Sequence, residues 1–540
     1  MKTKLNLIQF GLLWALLLAL PASVHAQFVL ATNNGDITII QYDGPGGDVF
    51  IPDSTNGLPI TAIAADAFFR NDTVTSVTMG TNLTTIGQNA FFQCFALASA
   101  SIPASVTNIG PGPFIDCPVM TGISVDPSNQ YYLSTNNLLF NKKLTSLIQF
   151  PCGLGGSYTL PTAVSNVGEA FVGNTLSSIS VNAANLYFSA SNGVLFTKNQ
   201  AILVSYPGGA SGSYTVPKSV TTIASASFEY GSGVTAVIIG STVTNIGLYA
   251  FYDCSSLASF SVSSTNLYYS SNNGALFNKT QTDLIQYPSG LPGSFTIPAT
   301  VTNIGNGAFG DALGLTNVVM PESLLSIGEE AFYSDENLLT APIGPGVRTI
   351  GTNAFYYCTS LAGLTIPNSV TNIAEFAFFY CPSLTSVIFG TGLASIGAQA
   401  FYACEGLTNV CFEGNAPTDG GFVFTYDNLS TVYYAQGTTG WESTYDGIPT
   451  SPCAECVAVT LPQPVIVGVR ASGANLVLDA TNGQSGATYI VLMNSTLAQP
   501  VSQWTPVATN VLTASGDFTI TATNTVALNV PQRFFVLKVQ

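Results

Sequence analysis

The sequence predicts a mainly β solenoid with short helical or turn segments, followed by a small C-terminal β-sandwich. The first observation is a repeat: Ile350, Ile373 and Ile396 are 23 residues apart, and so are the Phe, Cys and Leu residues that follow them. The second is that one such unit has a single strand-like segment and too little apolar surface for a core of its own, so neighbouring units must cover it. The third is an apolar content of 47%, which excludes a disordered chain.

The first 26 residues have the pattern of a secretory signal peptide. Lys2 and Lys4 precede an apolar run from Leu5 to Leu20, and a small-residue cleavage site ends at Ala26. A membrane anchor is the weaker alternative, because the run is shorter than the roughly 18–20 residues that a spanning helix needs. We therefore expect a secreted or cell-surface protein with no membrane span after cleavage.

Cleavage also removes His25, the only histidine of the chain. The mature protein would then lack Ser-His-Asp and Cys-His catalysis and imidazole ligands for a metal or haem. The formal net charge of −16 becomes more negative by two when Lys2 and Lys4 are removed, which disfavours nucleic acid and anionic membranes as partners. We expect no cofactor and no metal.

Residues 27–57 lack the repeat but alternate like strands, and we predict an N-terminal cap there, because the first unit of a solenoid must be covered. The solenoid itself is predicted over residues 58–450. Its repeated phenylalanine, called the frame phenylalanine below, is preceded in most units by Ala and five positions earlier by Ile or Val; it occurs at Phe68, Phe91, Phe114, Phe171, Phe228, Phe251, Phe309, Phe332, Phe355, Phe378, Phe401 and finally Phe424.

Three intervals between frame phenylalanines are longer, two of 57 residues and one of 58. Each contains an insertion with an Asn-x-Tyr-aromatic or equivalent start and two apolar runs joined by Asn-Lys or Thr-Lys, followed by a Gly-rich turn and a Tyr/Phe-Thr-apolar-Pro segment. This pattern predicts a β-hairpin whose second strand joins the main sheet. The insertions occupy residues 126–160, 182–216 and 263–297.

The unit I-G-x-x-A-F-x-x-C-x-x-L-x-x-L-x-I-P, quoted from Ile350 to Pro367, resembles the BspA-type leucine-rich repeat family of bacterial surface and secreted proteins. The resemblance covers about residues 60–424. It implies a right-handed leucine-rich-repeat solenoid with a parallel sheet on one face, and a role in adhesion or protein binding at the cell surface. The units of Phe114, Phe171 and Phe228 lack the full signature, so their regularity is less certain than that of the others.

After the solenoid, residues 451–464 form a Pro-rich linker. Residues 465–540 contain short strand-like runs separated by Gly, Asn and Ser, which predicts an immunoglobulin- or fibronectin-like sandwich.

The cysteines fall into two groups. Six lie three residues after a frame phenylalanine, where we expect an inward column of buried free thiols rather than a disulfide ladder, because side chains in register point the same way; they are Cys94, Cys117, Cys254, Cys358, Cys381 and Cys404. Cys453 and Cys456 form a CxxC in the linker without a redox or zinc context. For these two we predict a local or domain-joining disulfide, with Cys411 as a candidate partner.

We predict a non-enzymatic binding or adhesion protein. Carboxylates are sparse, no catalytic motif is present, and a solvated face explains the acidic pairs. The alternative is a carbohydrate-binding protein or a glycoside-active enzyme on the repeat scaffold, which would require two facing carboxylates.

The insertions are the part that the repeat fold does not require, and insertions of repeat proteins often form the binding face. We predict that a protein or cell-surface partner, or a glycan in the alternative, contacts their aromatic pairs and turn lysines, although packing of the hairpins against the solenoid also explains the aromatics. The candidate residues are Tyr131, Tyr132, Lys142, Tyr187, Phe188, Lys198, Tyr268, Tyr269 and Lys279.

Overall fold

The computed structural model describes residues 28–33, 35–453, 465–472, 475–483, 488–494, 505–511, 516–523 and 534–539. The predicted signal peptide, Cys456 and nearly all of the predicted linker lie outside them. The described residues contain strands and turns and no helix, so the segment predicted as helical or turn is a turn. They fall into two compact units, the first within residues 1–384, 390–407 and 417–428 and the second within 385–389, 408–416 and 429–540.

The first unit is a parallel β-solenoid, which confirms the predicted fold class. Each coil has three sides: a longer strand, a shorter strand, and a turn side that carries the frame phenylalanine. The longer strands pair in parallel with those of neighbouring coils. They are Gly47–Ile51, Val74–Met79, Ser99–Ile102, Gly122–Val125, Gly156–Leu160, Leu176–Val181, Gly212–Thr215, Val234–Ile239, Ser259–Val262, Gly293–Thr296, Leu315–Val319 and Gly363–Ile366.

The shorter strands form the second side and also pair in parallel, two residues at a time. They are Leu58–Ile63, Thr85–Ile86, Asn108–Ile109, Thr222–Ile223, Asn245–Ile246, Asn303–Ile304, Ser326–Ile327, Thr349–Ile350, Asn372–Ile373, Ser395–Ile396 and Thr418–Asp419. At the N-terminal end, Phe28–Asn33 pairs antiparallel with Asp36–Tyr42, which pairs in parallel with Leu58–Ile63, and Ser54–Thr55 pairs antiparallel with Leu58–Ile63.

Glycine after the short strand lets the coils approach closely. A Cβ on Gly351 would lie 2.6 Å from a backbone carbon of Gly328, and one on Gly397 would lie 2.4 Å from the backbone nitrogen of Glu375. A Cβ at these two positions would require the neighbouring coil to shift, which explains why Gly often follows the Ile, although Ala64, Ala224 and Ala374 stand there in other coils.

The turn side is held by backbone hydrogen bonds between coils. The N–H of Phe355 donates to the carbonyl of Ala377 at 2.7 Å, and the N–H of Phe378 donates to that of Ala400 at 2.7 Å. Around every frame phenylalanine except Phe171, the residues two before and two after adopt positive φ, as in Asn353 at 54°. The preceding Ala is small enough to be fully buried beneath the turn.

The core is filled by the frame phenylalanines, whose rings stack from coil to coil. From Phe309 to Phe401 their centroids lie 4.6–5.0 Å apart with interplanar angles of 4–11°. Offset stacking of this kind adds to the stabilisation from burial. The stack therefore explains why the aromatic residue recurs with the period of the coil.

Each insertion is a three-stranded antiparallel sheet, one strand more than the predicted hairpin. The middle strand pairs with both others, and in the second and third insertions the last strand continues in parallel to the next short strand. The strands are Tyr132–Thr135, Leu138–Asn141 and Leu147–Gln149; Phe188–Ser191, Val194–Thr197 and Ile202–Ser205; and Tyr269–Asn272, Ala275–Asn278 and Asp283–Gln286.

Each long interval also contains an additional coil, which the sequence pattern did not reveal. Phe150, Tyr206 and Tyr287 occupy the place of a frame phenylalanine, because their N–H groups donate to the carbonyls of Ala170, Ser227 and Ala308 as the regular coils do. Tyr206 stacks on Phe228 at 4.7 Å, and Tyr287 stacks on Phe309 at 5.1 Å.

The second unit contains the parallel strands Ser386–Phe389, Asn409–Phe412, Val432–Ala435 and Ile448–Cys453, with Thr444–Tyr445 antiparallel to the last. It also contains two three-stranded antiparallel sheets, formed by Val465–Ser472, Asn475–Gly483 and Gly516–Ala522, and by Thr505–Val511, Thr488–Asn494 and Phe534–Val539. Leu478, Val491 and Ile520 share a buried cluster. The predicted sandwich stays a prediction.

Candidate binding surfaces

The three insertions begin with the same loop, built on a buried asparagine. Asn129, Asn185 and Asn266 are fully buried. Each amide nitrogen donates to two carbonyls of the preceding coil, and each amide oxygen accepts the N–H groups of two aromatic residues, all at 2.8–3.0 Å. Because every polar atom of the amide is satisfied, the loop has one defined conformation.

The first aromatic residue of each pair is exposed. The exposed fractions of Tyr131, Tyr187 and Tyr268 are 53%, 53% and 51%. In the last two loops the preceding residue is also apolar, and the exposed fractions of Leu186 and Leu267 are 75% and 76%. The sequence analysis did not single out these leucines, although their place directly before the aromatic pair was visible.

The second aromatic residue of each pair points into the molecule. The hydroxyl of Tyr132 accepts the N–H of Ile109 at 3.0 Å, and the hydroxyl of Tyr269 accepts that of Ile246 at 2.9 Å. Those two strands end their sheets, so each hydroxyl satisfies a donor that a following strand would otherwise use. Phe188 is buried. These three residues hold the insertion in place.

The turn lysines are hydrogen-bonded to the same loops. Nζ of Lys198 donates to the carbonyl of Asn185 at 2.5 Å, and Nζ of Lys279 donates to that of Ser264 at 3.1 Å. Nζ of Lys142 donates to the carbonyls of Asn129 and Pro127. The three lysines are exposed although their ammonium groups are engaged with the backbone, so both the lysines and the first tyrosines are accessible in the predicted site.

A second candidate surface lies on the turn side of the first unit, which bends back on itself. Nη2 of Arg70 donates to Oγ of Ser334 at 2.6 Å, although 264 positions separate the two residues. Nε of Arg70 donates to Oε1 of Gln93 at 2.7 Å. Between these distant coils the turn side encloses a cavity of about 780 Å³.

Carboxyl groups near Arg70 are buried beside one another. Burial raises the pKa of Asp116 to about 6, with Gln93 and Arg70 opposing the shift. Burial and neighbouring carboxylates raise the pKa of Asp253 to about 9. Burial raises the pKa of Asp311 to about 7, against a hydrogen bond from Tyr252 and the charge of Arg70. The described residues contain no group of three His, Cys, Asp or Glu side chains arranged to hold a metal ion.

The six column cysteines are buried and free. Each thiol donates to the carbonyl of the frame phenylalanine in the preceding coil, at 3.1–3.3 Å. A seventh buried thiol, Cys152, lies in the first additional coil and contacts the carbonyls of Phe114 and Val172 at 3.7 Å. In another coil the column position holds Asp335, whose Oδ1 accepts the N–H of Ala312 at 2.8 Å.

Cys411 is disulfide-bonded. The sulfur of Cys453 lies 3.4 Å from that of Cys411. Cys456 is outside the described residues, so the disulfide predicted for Cys453 and Cys456 stays a prediction. The geometry nevertheless places Cys411 beside Cys453, the first cysteine of the CxxC.

Stacked parallel coils with inward apolar columns define a repeat-scaffold protein of the leucine-rich type. The chain belongs to the BspA-type leucine-rich repeat family: the family model, described as a BspA type leucine rich repeat region in six copies, matches residues 51–154, 211–293, 292–361 and 337–444. These matches include the third insertion in full and the first two only in part. No curated protein matches the chain.

Solved structures with a similar fold come from bacteria. A leucine rich cell surface protein from Faecalibacterium prausnitzii is 23% identical over 72% of this chain and 94% of its own, with a TM-score of 0.37. A leucine-rich repeat protein from Eubacterium ventriosum is 21% identical over 78% of this chain and 97% of its own, with a TM-score of 0.37. The pneumococcal vaccine antigen PcpA is 18% identical over 76% of this chain and 91% of its own, with a TM-score of 0.26. The assignment to the family depends on the family match alone.

The part of the chain that the structure describes includes no helix with the length and apolarity needed to cross a membrane.

Proposed function

We propose that the protein is an exported, non-enzymatic binding protein that recognises a protein partner at the cell surface through its three insertion loops. The observation that carries the proposal is the exposure of Tyr131, Tyr187 and Tyr268 on loops of identical construction. Tyrosine is enriched in protein interfaces and in the residues that dominate their binding energy.

Two further features support this site. The buried asparagines and the lysine–backbone hydrogen bonds fix the loops before binding, so the loops lose little conformational entropy when a partner binds. The loops also begin at the same place in the repeat pattern, and insertions of repeat proteins often map to one face. Three contacts on one face would add by multivalency to an extended partner.

The test compares proteins captured from a cell-surface extract by the immobilised full chain without its predicted signal peptide. One variant changes Tyr131, Tyr187 and Tyr268 to Ser. The matched control changes three other exposed apolar residues to Ser, namely Phe50, Phe95 and Ile238. We expect quantitative mass spectrometry to identify a protein that the wild type and the control both capture and that the tyrosine variant does not capture. Equal capture by a folded tyrosine variant would leave the insertions with a structural role only.

One observation favours the alternative of a glycoside-active protein. Glu229 and Glu330 both line the aromatic cavity, and burial raises the pKa of each. A protonated carboxyl beside a carboxylate is the arrangement that glycosidases use. Hydrolysis in a panel of glycosides that is lost on Glu229→Gln would favour this function over the proposed one, and binding on a glycan array lost in the tyrosine variant would favour a glycan as the partner.

A further inference from the structure

The turn-side cavity of the first unit is separate from the insertion loops. It is enclosed by coils far apart in sequence, with Phe92, Tyr252 and Tyr356 among its walls. Its volume of about 780 Å³ is in the range of small-ligand sites. Nothing in the repeat requires such a space, because the core of the solenoid lies inside the coils.

The walls combine aromatic rings with negative charge. Of the described residues that line the cavity, nine are Phe or Tyr, five are Asp or Glu, and none is Lys or Arg. Glu229 lies close enough to Glu169 and Glu330 for their charges to add to the effect of burial, which raises the pKa of Glu229 well above its usual value. A cation in the cavity would relieve this crowding.

Arg70 shows which kind of cation this side of the molecule accepts. Its guanidinium carbon lies 4.8 Å from the ring centroid of Tyr357, 5.2 Å from that of Tyr333 and 5.8 Å from that of Phe69. These distances are within the range of cation–π interactions. Phe69 and Tyr333 also line the cavity, so the chain itself supplies a guanidinium bound beside the proposed site.

We propose that this cavity binds a guanidinium or ammonium group carried on an apolar stem, such as a basic side chain of a peptide. The rings cover the stem and the faces of the cation, and Glu229 and Glu330, which ionise beside the bound cation, supply its counter-charge. An anion is disfavoured by the five acidic residues, and a neutral apolar molecule leaves them without a counter-charge. The proposal is independent of the insertion loops.

The test is a calorimetric titration of the full chain with two capped tripeptides, Gly-Arg-Gly and Gly-citrulline-Gly, which have the same shape but differ in charge. We expect the arginine peptide to bind at least about tenfold more tightly, equivalent to about 1.4 kcal/mol. Butylguanidinium distinguishes the source of the cation. Equal affinity for butylguanidinium and the arginine peptide indicates a free organic cation, whereas tighter binding of the peptide indicates a side chain of another protein.

Matched variants distinguish binding in this cavity from binding to the acidic surface in general. Glu229→Gln with Glu330→Gln is expected to weaken the arginine peptide about tenfold. Glu322→Gln with Glu405→Gln removes the same charge from exposed positions outside the cavity and is expected to leave the affinity unchanged. The proposal is overturned by equal affinity for the two tripeptides, by no saturable binding up to about 10 mM, or by equal loss in both variants. Circular dichroism of each variant confirms that it is folded.

Discussion

The regular coils from Phe309 to Phe401 differ from the additional coils of Phe150, Tyr206 and Tyr287 in how their rings meet. In the regular run every ring stacks on the rings before and after it, at 4.6–5.0 Å. The ring of an additional coil contacts the frame phenylalanine that follows it but, among the described rings, not the one that precedes it. The stack therefore breaks three times, once at each insertion.

The reason is the length of the turn side. In a regular coil the strand Thr349–Ile350 is followed by Gly, two variable residues and Ala before Phe355, whereas Phe150 follows the strand Leu147–Gln149 directly. The three additional coils all lie between Arg70 and Ser334 along the chain, the two residues that meet on the turn side. The shortened coils therefore interrupt the ring stack, whereas the regular coils continue it.

The largest expected effect tests this difference directly. Phe355→Ala should reduce the free energy of unfolding by about 3–5 kcal/mol, because the ring is fully buried between Phe332 and Phe378. Phe150→Ala should lie at the lower end of that range or below it, because this ring has only a tilted contact with Phe171 at 5.7 Å and an edge contact with Tyr158 at 5.3 Å among the described rings. Urea denaturation of both variants measures the difference. A larger loss at Phe150 would mean that the additional coils, rather than the regular run, determine stability.

The sequence was sufficient for the features that recur. The 23-residue period and the frame phenylalanine reflect contacts that every regular coil repeats, and the Ile-Gly pair and the cysteine recur in most of these coils, so the parallel solenoid was predictable. The limits of the insertions followed from the same period. Turn chemistry around Asn and Lys also predicted the antiparallel pairing within each insertion.

The additional coils and the cavity were not predictable in this way. Tyr206 and Tyr287 lack the preceding Ile-Gly and Ala, so no local pattern marks them as frame positions. Arg70 meets Ser334 across 264 positions, and no periodic signal relates two such distant residues. The sequence left open whether the second aromatic of each pair contacts a partner or packs against the solenoid, because an aromatic side chain suits a surface and a core equally well.

A smaller effect is expected where the regular run departs from its own pattern. Asp335 occupies the cysteine column, and its Oδ2 has no hydrogen-bond partner among the described atoms. Burial raises the pKa of this carboxyl well above the usual 3.8. The folded state therefore holds a proton that the unfolded state releases above about pH 4, and stability falls as the pH rises from there to neutrality.

Asp335→Asn should remove that pH dependence and stabilise the protein at pH 7 by about 1–3 kcal/mol, the cost of an unsatisfied buried polar group. The column already accepts an amide, since Asn174 donates to the carbonyl of Phe171 and accepts the N–H of Leu176. Denaturation at pH 4 and pH 7 gives the two values, with Asp72→Asn as the exposed control. A stabilisation that is equal at both pH values would show that protonation of Asp335 is not its source.

The smallest expected effect concerns the loop that begins the first insertion, at Tyr132. Tyr132→Phe keeps the ring but removes the hydroxyl that accepts the N–H of Ile109, the last strand of its sheet. The loss should be about 0.5–1.5 kcal/mol, the net contribution of one hydrogen bond. Tyr131→Phe, on the exposed member of the same pair, is the matched control and should change stability by less than about 0.5 kcal/mol. The second insertion is a natural comparison, since it has Phe188 at this position.

Hydrogen exchange should also be faster at Ile109 in Tyr132→Phe, because that amide loses its acceptor. Unchanged exchange at Ile109 would mean that the insertion protects the end of the sheet by packing alone. The additional coils and the regular coils would then differ only in how their rings stack.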